Sequence, residues 1–367
     1  MNTHVLALPL MVAQECLGAF DTSYQHEMRD AMAAFRLGRS ASNTDSASPI
    51  SFCNSTQTVL VTGATGFIGQ QLVRALIRDG HTVVALTRRQ KEAARLFDGK
   101  VRCIESMNDL AASFHIDVII NLAGARILGP RWSSKRKKVL LQSRVGLTQS
   151  VVDWIARATC KPSLLLSASA IGYYGIQKIG DQTMLDETAP PQPMFMSDLC
   201  RQWEAAASGA IEHGVRVECM RFGLVLGTQG ALPMMMLPIL LGVGGKLASG
   251  RQWLSWIHVE DVLRGIAHVW TQARREQDAN VQVTPHTYGV TNFTAPECVT
   301  QQTFSKTAAR IWKRPSFFPT PGWPLRLVLG KQADLLLEGQ RVVPRRLQRE
   351  GFVFLHPELA GALESLR

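Results

Sequence analysis

Three glycines at three-residue spacing, Gly63, Gly66 and Gly69, follow directly on the apolar run Val59-Leu60-Val61-Thr62. Glycine at the first position permits a tight turn out of a strand, at the second lets a pyrophosphate approach bare backbone, and at the third lets a helix pack close to the sheet. Phe67, Leu72, Leu76 and Ile77 then fall on one apolar helix face that Gly80 stops. A helix starting there offers free N–H groups and the positive end of its dipole to phosphate. His81 to Thr87 reads as a second strand, which gives the glycines the strand–turn–helix context a dinucleotide site requires. Thr87-Arg88-Arg89 stands where an NAD site presents an acid to the ribose hydroxyls; Arg88 there suits a 2′-phosphate, and NADP is the expected cofactor. The plainer reading of Arg88 is an ordinary surface residue.

Other chemistry-bearing residues are less specific. Ser163 to Ser169 reads as a strand ending in hydroxyls, and Tyr173 and Tyr174 follow it. His258, between an apolar pair and an acidic pair, is read as a structural residue rather than a general base. Asp261 is expected to open a helix from Val262 to Ala273 and to cap its N–H groups. Trp253, Trp256 and the run Met234-Met235-Met236 could line an apolar pocket, although methionine clusters more often fill cores. The seven cysteines are scattered, with no Cys-x-x-Cys pair, so neither a disulfide framework nor a metal site is read from them.

These residues need elements to carry them. Val101 to Ile104 and Asp117 to Gly124 read as third and fourth strands, the latter ending in small residues that leave room for a ligand. A long helix is expected from Ser133 to Thr159, with Arg144 on or beside the face toward the cofactor. Ala231 to Gly245, with Pro233 and Pro238, reads as a buried loop and helix. Beyond Pro296 come an amphipathic helix from Val299 to Trp312, a proline-rich connector, a helix from Leu325 to Glu338 and a last helix from Pro357. The division is a poorly ordered extension over 1–57, an α/β domain over 58–295 and a small helical domain over 296–367. The net charge of +11 includes one dense run, Lys135-Arg136-Lys137-Lys138, without interleaved aromatics, so it is read as a solvated helix face and not a nucleic-acid footprint. No window is apolar over the roughly 18 residues that span a bilayer.

Gly63-x-x-Gly66-x-x-Gly69, Asn121-Leu122-Ala123-Gly124, Ser143-Arg144, the run from Ser167 to Gly175, Arg221 to Gly227, Ser255 to Asp261 and Leu336 to Pro344 together resemble the atypical, extended short-chain dehydrogenase/reductases of the NAD-dependent epimerase/dehydratase-like family. The resemblance covers about residues 58 to 367. It implies an extended Rossmann fold, a doubly wound parallel sheet with a small mostly helical C-terminal domain. It also implies NADP(H) held by the turn residues Gly63, Thr65, Gly66, Phe67, Ile68 and Gly69, by Thr87 and Arg88, by Leu122 and Ala123, and by Arg144.

Extended members use a Ser or Thr, a Tyr and a Lys four residues after it, because a phenol works near neutrality only beside a cation. Counting back from Glu204 by the family spacing puts Met196 and Cys200 at the Tyr and Lys positions. Ser169 is the retained hydroxyl, with Tyr173 or Tyr174 as proton donor or as mere cover for the pocket. The expectation is an NADP(H)-dependent oxidoreductase acting on an unknown small carbonyl or sugar-nucleotide-like substrate; the alternative is a non-catalytic NADP(H)-binding regulatory or scaffolding protein. A cytoplasmic location is expected, organellar if residues 1–57 carry targeting information. No nucleic-acid or membrane partner is expected, and a homodimer is left open.

Overall fold

The computed structural model describes residues 50–278 and 288–367. The strands are β1 (Thr58–Thr62), β2 (Thr82–Leu86), β3 (Val101–Ile104), β4 (Val118–Asn121), β5 (Leu164–Ala170), β6 (Arg216–Phe222), β7 (Leu224–Leu226), β8 (Trp253–Leu254), β9 (Trp256–His258), β10 (Tyr288–Phe293) and β11 (Val299–Thr300). The helices are α1 (Phe67–Arg78), α2 (Gln90–Leu96), α3 (Ser134–Leu141), α4 (Leu147–Arg157), α5 (Phe195–Ser208), α6 (Leu232–Leu240), α7 (Val259–Asp278), α8 (Gln301–Ile311), α9 (Trp323–Leu329), α10 (Asp334–Leu337), α11 (Arg345–Arg349) and α12 (Leu359–Glu364).

Seven strands form one parallel sheet in the order β10-β6-β5-β4-β1-β2-β3. Chain order reverses between β1 and β4, and in doubly wound folds the crevice beyond the carboxyl ends of such strands is where ligands bind. The central strands are buried on both faces, which is why they read as unbroken apolar runs. Val59, Val61 and Leu166 pack with Leu72 of α1 and Ile266 and Trp270 of α7 on one face. Leu60, Val84 and Leu165 pack with Val151 and Trp154 of α4 on the other.

The structure departs from the sequence reading at several points. The long helix is α3 and α4 joined by a π-helical turn, Gln142–Gly146, that contains Arg144. α7 begins at Val259, before Asp261, whose carboxylate accepts the backbone N–H groups of Leu355 (2.7 Å) and His356 (2.8 Å). Asp261 thus ties down the C-terminal segment. Trp256 and Met236 are core residues with Leu226, Phe304 and Leu363, not pocket lining. Trp253 is half-buried under the Arg341 guanidinium and donates its indole N–H to Asp181 O at 2.9 Å.

Residues 1–49 of the expected extension lie outside the described residues, but Ile50 to Gln57 pack onto the sheet domain. Phe52 is fully buried against His81 and Trp270, and its N–H donates to Asp79 at 2.6 Å. At the other end, Leu347 of α11 belongs to the same core as Val59 and Ile266. The boundary placed at 295/296 therefore does not coincide with a break in packing.

Candidate active site

The glycine turn is built by close approach. Gly63 has φ +69°, and a Cβ there would lie 2.9 Å from Ala123 N, just beyond β4. A Cβ on Gly69 would fall inside the van der Waals shell of Gly63 O. Gly66 N–H donates to Gly63 O at 2.9 Å to close the turn, and Gly66 starts α1 without any side-chain cap. A tight bare-backbone turn leading into an uncapped helix start fits a pyrophosphate, whose oxygens would take the first-turn N–H groups. The half-buried Phe67 ring packs against the backbone of Gly227 and Gly230, Ile68 is half-buried, and Thr65 is buried.

Thr87 is buried at the end of β2 and Arg88 beside it is exposed. The neighbouring Arg89 reaches back to the turn, its Nη2 donating to Thr65 Oγ1 at 2.9 Å while Nη1 pairs with Glu92. Arg89 is the guanidinium that the structure joins to the glycine turn, and Arg88, which the sequence reading sets against a 2′-phosphate, stands beside it.

A buried hydrogen-bond chain fixes the crevice floor. Thr62 Oγ1 donates to Asn121 Oδ1 (2.7 Å), Asn121 Nδ2 donates to Thr148 (2.8 Å) and Ser167 (3.2 Å), and Trp203 Nε1 donates to Thr148 (3.0 Å). Ala123 N–H donates to Thr62 Oγ1 at 3.1 Å, which holds Leu122 and Ala123 against the turn. Arg144 lies over Gly124 and 5.3 Å above the Trp203 ring, bonded to Ala125 O, Leu140 O and Ser143 rather than to a carboxylate. Burial pushes its pKa below the usual guanidinium value. A half-buried cation without a carboxylate partner, held in a π turn, is a natural contact for an anionic ligand.

The hydroxyl groups converge on a carboxylate that sequence reading used only as a counting mark. Ser169 Oγ donates to Glu204 Oε1 at 2.6 Å, and Arg221 grips both oxygens of Glu204 at 2.8 Å. All three side chains are buried. Although burial works against the Arg221 charge, its bonds to Glu204 raise its pKa. Tyr174 is buried in the same network, donating to Asn292 Oδ1 at 2.7 Å and accepting from Arg221 at 2.9 Å, and desolvation pushes its phenol up to about 12.

Tyr173 takes a different direction. Its ring lies under the Arg221 guanidinium, 3.4 Å from Cζ, and it lines a cavity of about 590 Å³ with Asp198, Arg201, Gln202, Glu204 and Tyr288. Asp198, Arg201 and Gln202 sit on the face of α5 opposite Met196, Cys200 and Trp203, the side on which Arg144 stacks. The structure thus brings Ser169 and Tyr174 together around Arg221 and Glu204, and turns Tyr173 away from the Arg144 side. Met196 and Cys200 are buried beside Gly172, and burial raises the Cys200 thiol to about 12. In the basic run, Lys137 Nζ lies 4.7 Å over the Phe195 ring while Lys135 and Lys138 are exposed.

Sheet order, glycine turn and crevice define an extended Rossmann protein of the nicotinamide-dinucleotide class. Residues 59–283 match the NAD dependent epimerase/dehydratase family and residues 320–366 match a domain of unknown function, DUF1731. The chain belongs to the NAD-dependent epimerase/dehydratase family, an oxidoreductase-type family that binds nicotinamide cofactors. It is 36% identical over 312 residues to the epimerase family protein YfhF of Bacillus subtilis, covering 84% of this chain and 97% of the relative. It is 38% identical over 322 residues to the chloroplastic SDR39U1 homolog of Arabidopsis thaliana, covering 85% and 87%. Among solved structures, the human epimerase family protein SDR39U1 (isoform 2) with NADPH superposes with TM-score 0.70 at 33% identity, covering 84% and 98%. A UDP-galactose 4-epimerase at 17% identity, TM-score 0.64, covering 84% and 97%, shares the fold. No helix among the described residues is long and apolar enough to cross a membrane.

Proposed function

We propose that this chain is an NADP(H)-dependent oxidoreductase that interconverts a small carbonyl compound, free or on a sugar-nucleotide-like carrier, with its alcohol. The observation that carries the NADP assignment is the Arg89 bond to Thr65, which sets a guanidinium at the mouth of the glycine turn with exposed Arg88 next to it. The NADPH in the human relative supports it. Gly63, Thr65, Gly66, Phe67, Ile68, Gly69, Thr87, Arg88, Arg89, Leu122, Ala123 and Arg144 would hold the dinucleotide, and its nicotinamide would supply or accept the hydride. Ser169 is the hydroxyl that meets the substrate oxygen, and Glu204 takes the Ser169 proton along their 2.6 Å bond when an alcohol is oxidised. Reduction runs the same relay backwards from a Glu204 protonated out of the cavity it lines. Tyr174 orients Arg221 rather than donating a proton, since its own hydroxyl is already committed to Asn292.

The buried Met196 and Cys200 in place of the phenol and ammonium favour a second reading, a cofactor-binding protein without turnover. NADPH and NADH titrations followed by a carbonyl and sugar-nucleotide panel separate the two. Tight NADPH binding with Ser169-dependent oxidation of NADPH supports the enzyme; tight binding with no turnover supports the regulatory protein; equal weak affinity for both cofactors defeats both. For location we propose the cytoplasm, or an organelle if the residues before 58 direct import, as the relative named chloroplastic suggests. A reporter fused to residues 1–57 tests this.

A further inference from the structure

Where the C-terminal segment meets the sheet domain, three potential ligands converge from residues far apart in the chain. His258 ends β9, Glu260 lies in the first turn of α7, and His356 precedes α12. One donor atom from each lies within 4.8 Å of the other two. Glu260 Oε2 is 2.9 Å from His356 Nε2 and 3.7 Å from His258 Nδ1, and the two imidazole rings lie 3.9 Å apart at 51°. We propose that His258, Glu260 and His356 form a site for a divalent transition metal of the zinc type, which fastens the C-terminal segment to the start of α7.

The chemistry of the donor set argues for that class. Two imidazoles and one carboxylate suit zinc and its neighbours rather than magnesium or calcium, which prefer all-oxygen shells. With metal–ligand bonds of roughly 2.0–2.2 Å, donors in a tetrahedral shell stand about 3.3–3.5 Å apart; the Glu260 spacings of 2.9 and 3.7 Å lie on either side of that value, and the two histidine donors, within 4.8 Å of each other, draw together on binding. Ligating histidines are usually oriented through their second ring nitrogen. Here His258 Nε2 lies 3.4 Å from Ser365 Oγ, on the side away from Glu260. The backbone at His356 is held by Asp261, which accepts the Leu355 and His356 N–H groups. His258 Nδ1 also accepts the Glu260 N–H at 3.2 Å, and metal capture exchanges that bond for a coordinate one. The start of α7 carries a positive dipole end that opposes a cation, and the carboxylates of Glu260 and Asp261 offset it. Three protein ligands leave a fourth position for water, and Glu260, about a third exposed, lies open to solvent.

The test uses the full-length chain without a histidine tag, stripped with chelator and desalted. Zinc chloride is titrated by calorimetry, cobalt(II) by visible absorption, and melting is followed with and without zinc. One equivalent bound, a zinc-dependent rise in Tm and cobalt bands of a low-coordinate nitrogen–oxygen site are expected. His356→Ala and Glu260→Gln should each weaken binding by about tenfold or more, with NADPH affinity unchanged. His356→Asn serves if the alanine variant fails to fold. A zinc-insensitive melt with no binding heat overturns the proposal, as does wild-type affinity in both variants, which would place the metal on other groups such as the cysteines.

Discussion

Cys200 on α5 is almost wholly buried, and its burial has a measurable consequence. Its folded pKa is raised from 9.0 to about 12 by desolvation. A thiol that ionises more readily unfolded than folded contributes stability that is fully present below pH 9 and is lost as pH rises through 12. The Tyr174 phenol, also raised to about 12, adds to the same alkaline decline above its unfolded value near 10. We expect chemical-denaturation stability to fall steeply between pH 9 and 12, with Cys200→Ala flattening the lower part of that limb; an unchanged profile in the variant refutes the assignment. At the cofactor end, Arg89→Glu should weaken NADPH binding by about 10- to 100-fold, removing a charge-assisted phosphate contact and adding a repulsion, with NADH affected far less. Fluorescence titration of both cofactors reads this, and Arg88→Glu run alongside tells which arginine reads the 2′-phosphate. Nothing in the spacing of Ser169, Glu204 and Arg221 announces that they meet, because each belongs to a different element and only the sheet order joins β5 to β6 beneath α5.

The glycine turn was readable in advance because its physics is local: a strand, a bend needing positive φ and a helix start occupy Val59 to Ile77 without help from distant residues. Strand positions were recoverable for the same reason, each being a short apolar run between polar breaks. The π turn at Arg144 was not readable. It joins α3, whose Leu140 packs on Met196 and Leu199, to α4, which packs on the sheet, and an extra residue within a helical pattern leaves little trace in hydrophobic spacing. Asp261 misled for a related reason: an acid near a helix start looks like a cap, and only tertiary structure shows that it serves the backbone of residues 355 and 356. The turn itself yields a sharp expectation. Gly69→Ala forces a methyl group against Gly63 O, so the helix must move off the turn. The overpacking should cost roughly 1–3 kcal/mol, and NADPH affinity should drop with it. The exposed Gly361→Ala in α12, where an added Cβ meets nothing within 4 Å, is the control: it should leave NADPH affinity unchanged and raise stability by up to about 1 kcal/mol, as alanine favours a helix over glycine. Equal behaviour of the two variants in urea melts and cofactor titration would show that the close approach is not limiting.

The sheet domain and the C-terminal segment are joined by charge as well as by apolar packing. Glu218 on β6 is almost wholly buried, and its carboxylate takes bonds from Arg216 of the same strand (2.8 Å) and from Arg346 of α11 (2.6 Å). Arg346 in turn pairs with Glu350, which meets His268 of α7, so one network ties β6, the long helix and the C-terminal helix. Leu347 beside it enters the main core, and Leu363 enters a second core with Trp256. Two bodies linked by a connector would unfold in two steps; a molecule whose C-terminal helices complete both cores should unfold in one. We therefore expect coincident urea transitions by tryptophan fluorescence and far-ultraviolet circular dichroism. Glu218→Ala takes the shared carboxylate from two guanidinium groups that keep Glu276 and Glu350 as partners, so it should cost less than the about 3–5 kcal/mol typical of a buried charge left wholly unpaired. The midpoint should fall with the slope unchanged, because the same surface is still exposed in a single step. Arg346→Met should cost less, since Arg216 still neutralises Glu218, and the double variant should be less destabilised than the sum of the two, as residues of one network are not independent. A shallower slope or two resolved transitions in wild type would mean that the segment after Pro296 folds on its own and that the Arg346 link is peripheral to the fold.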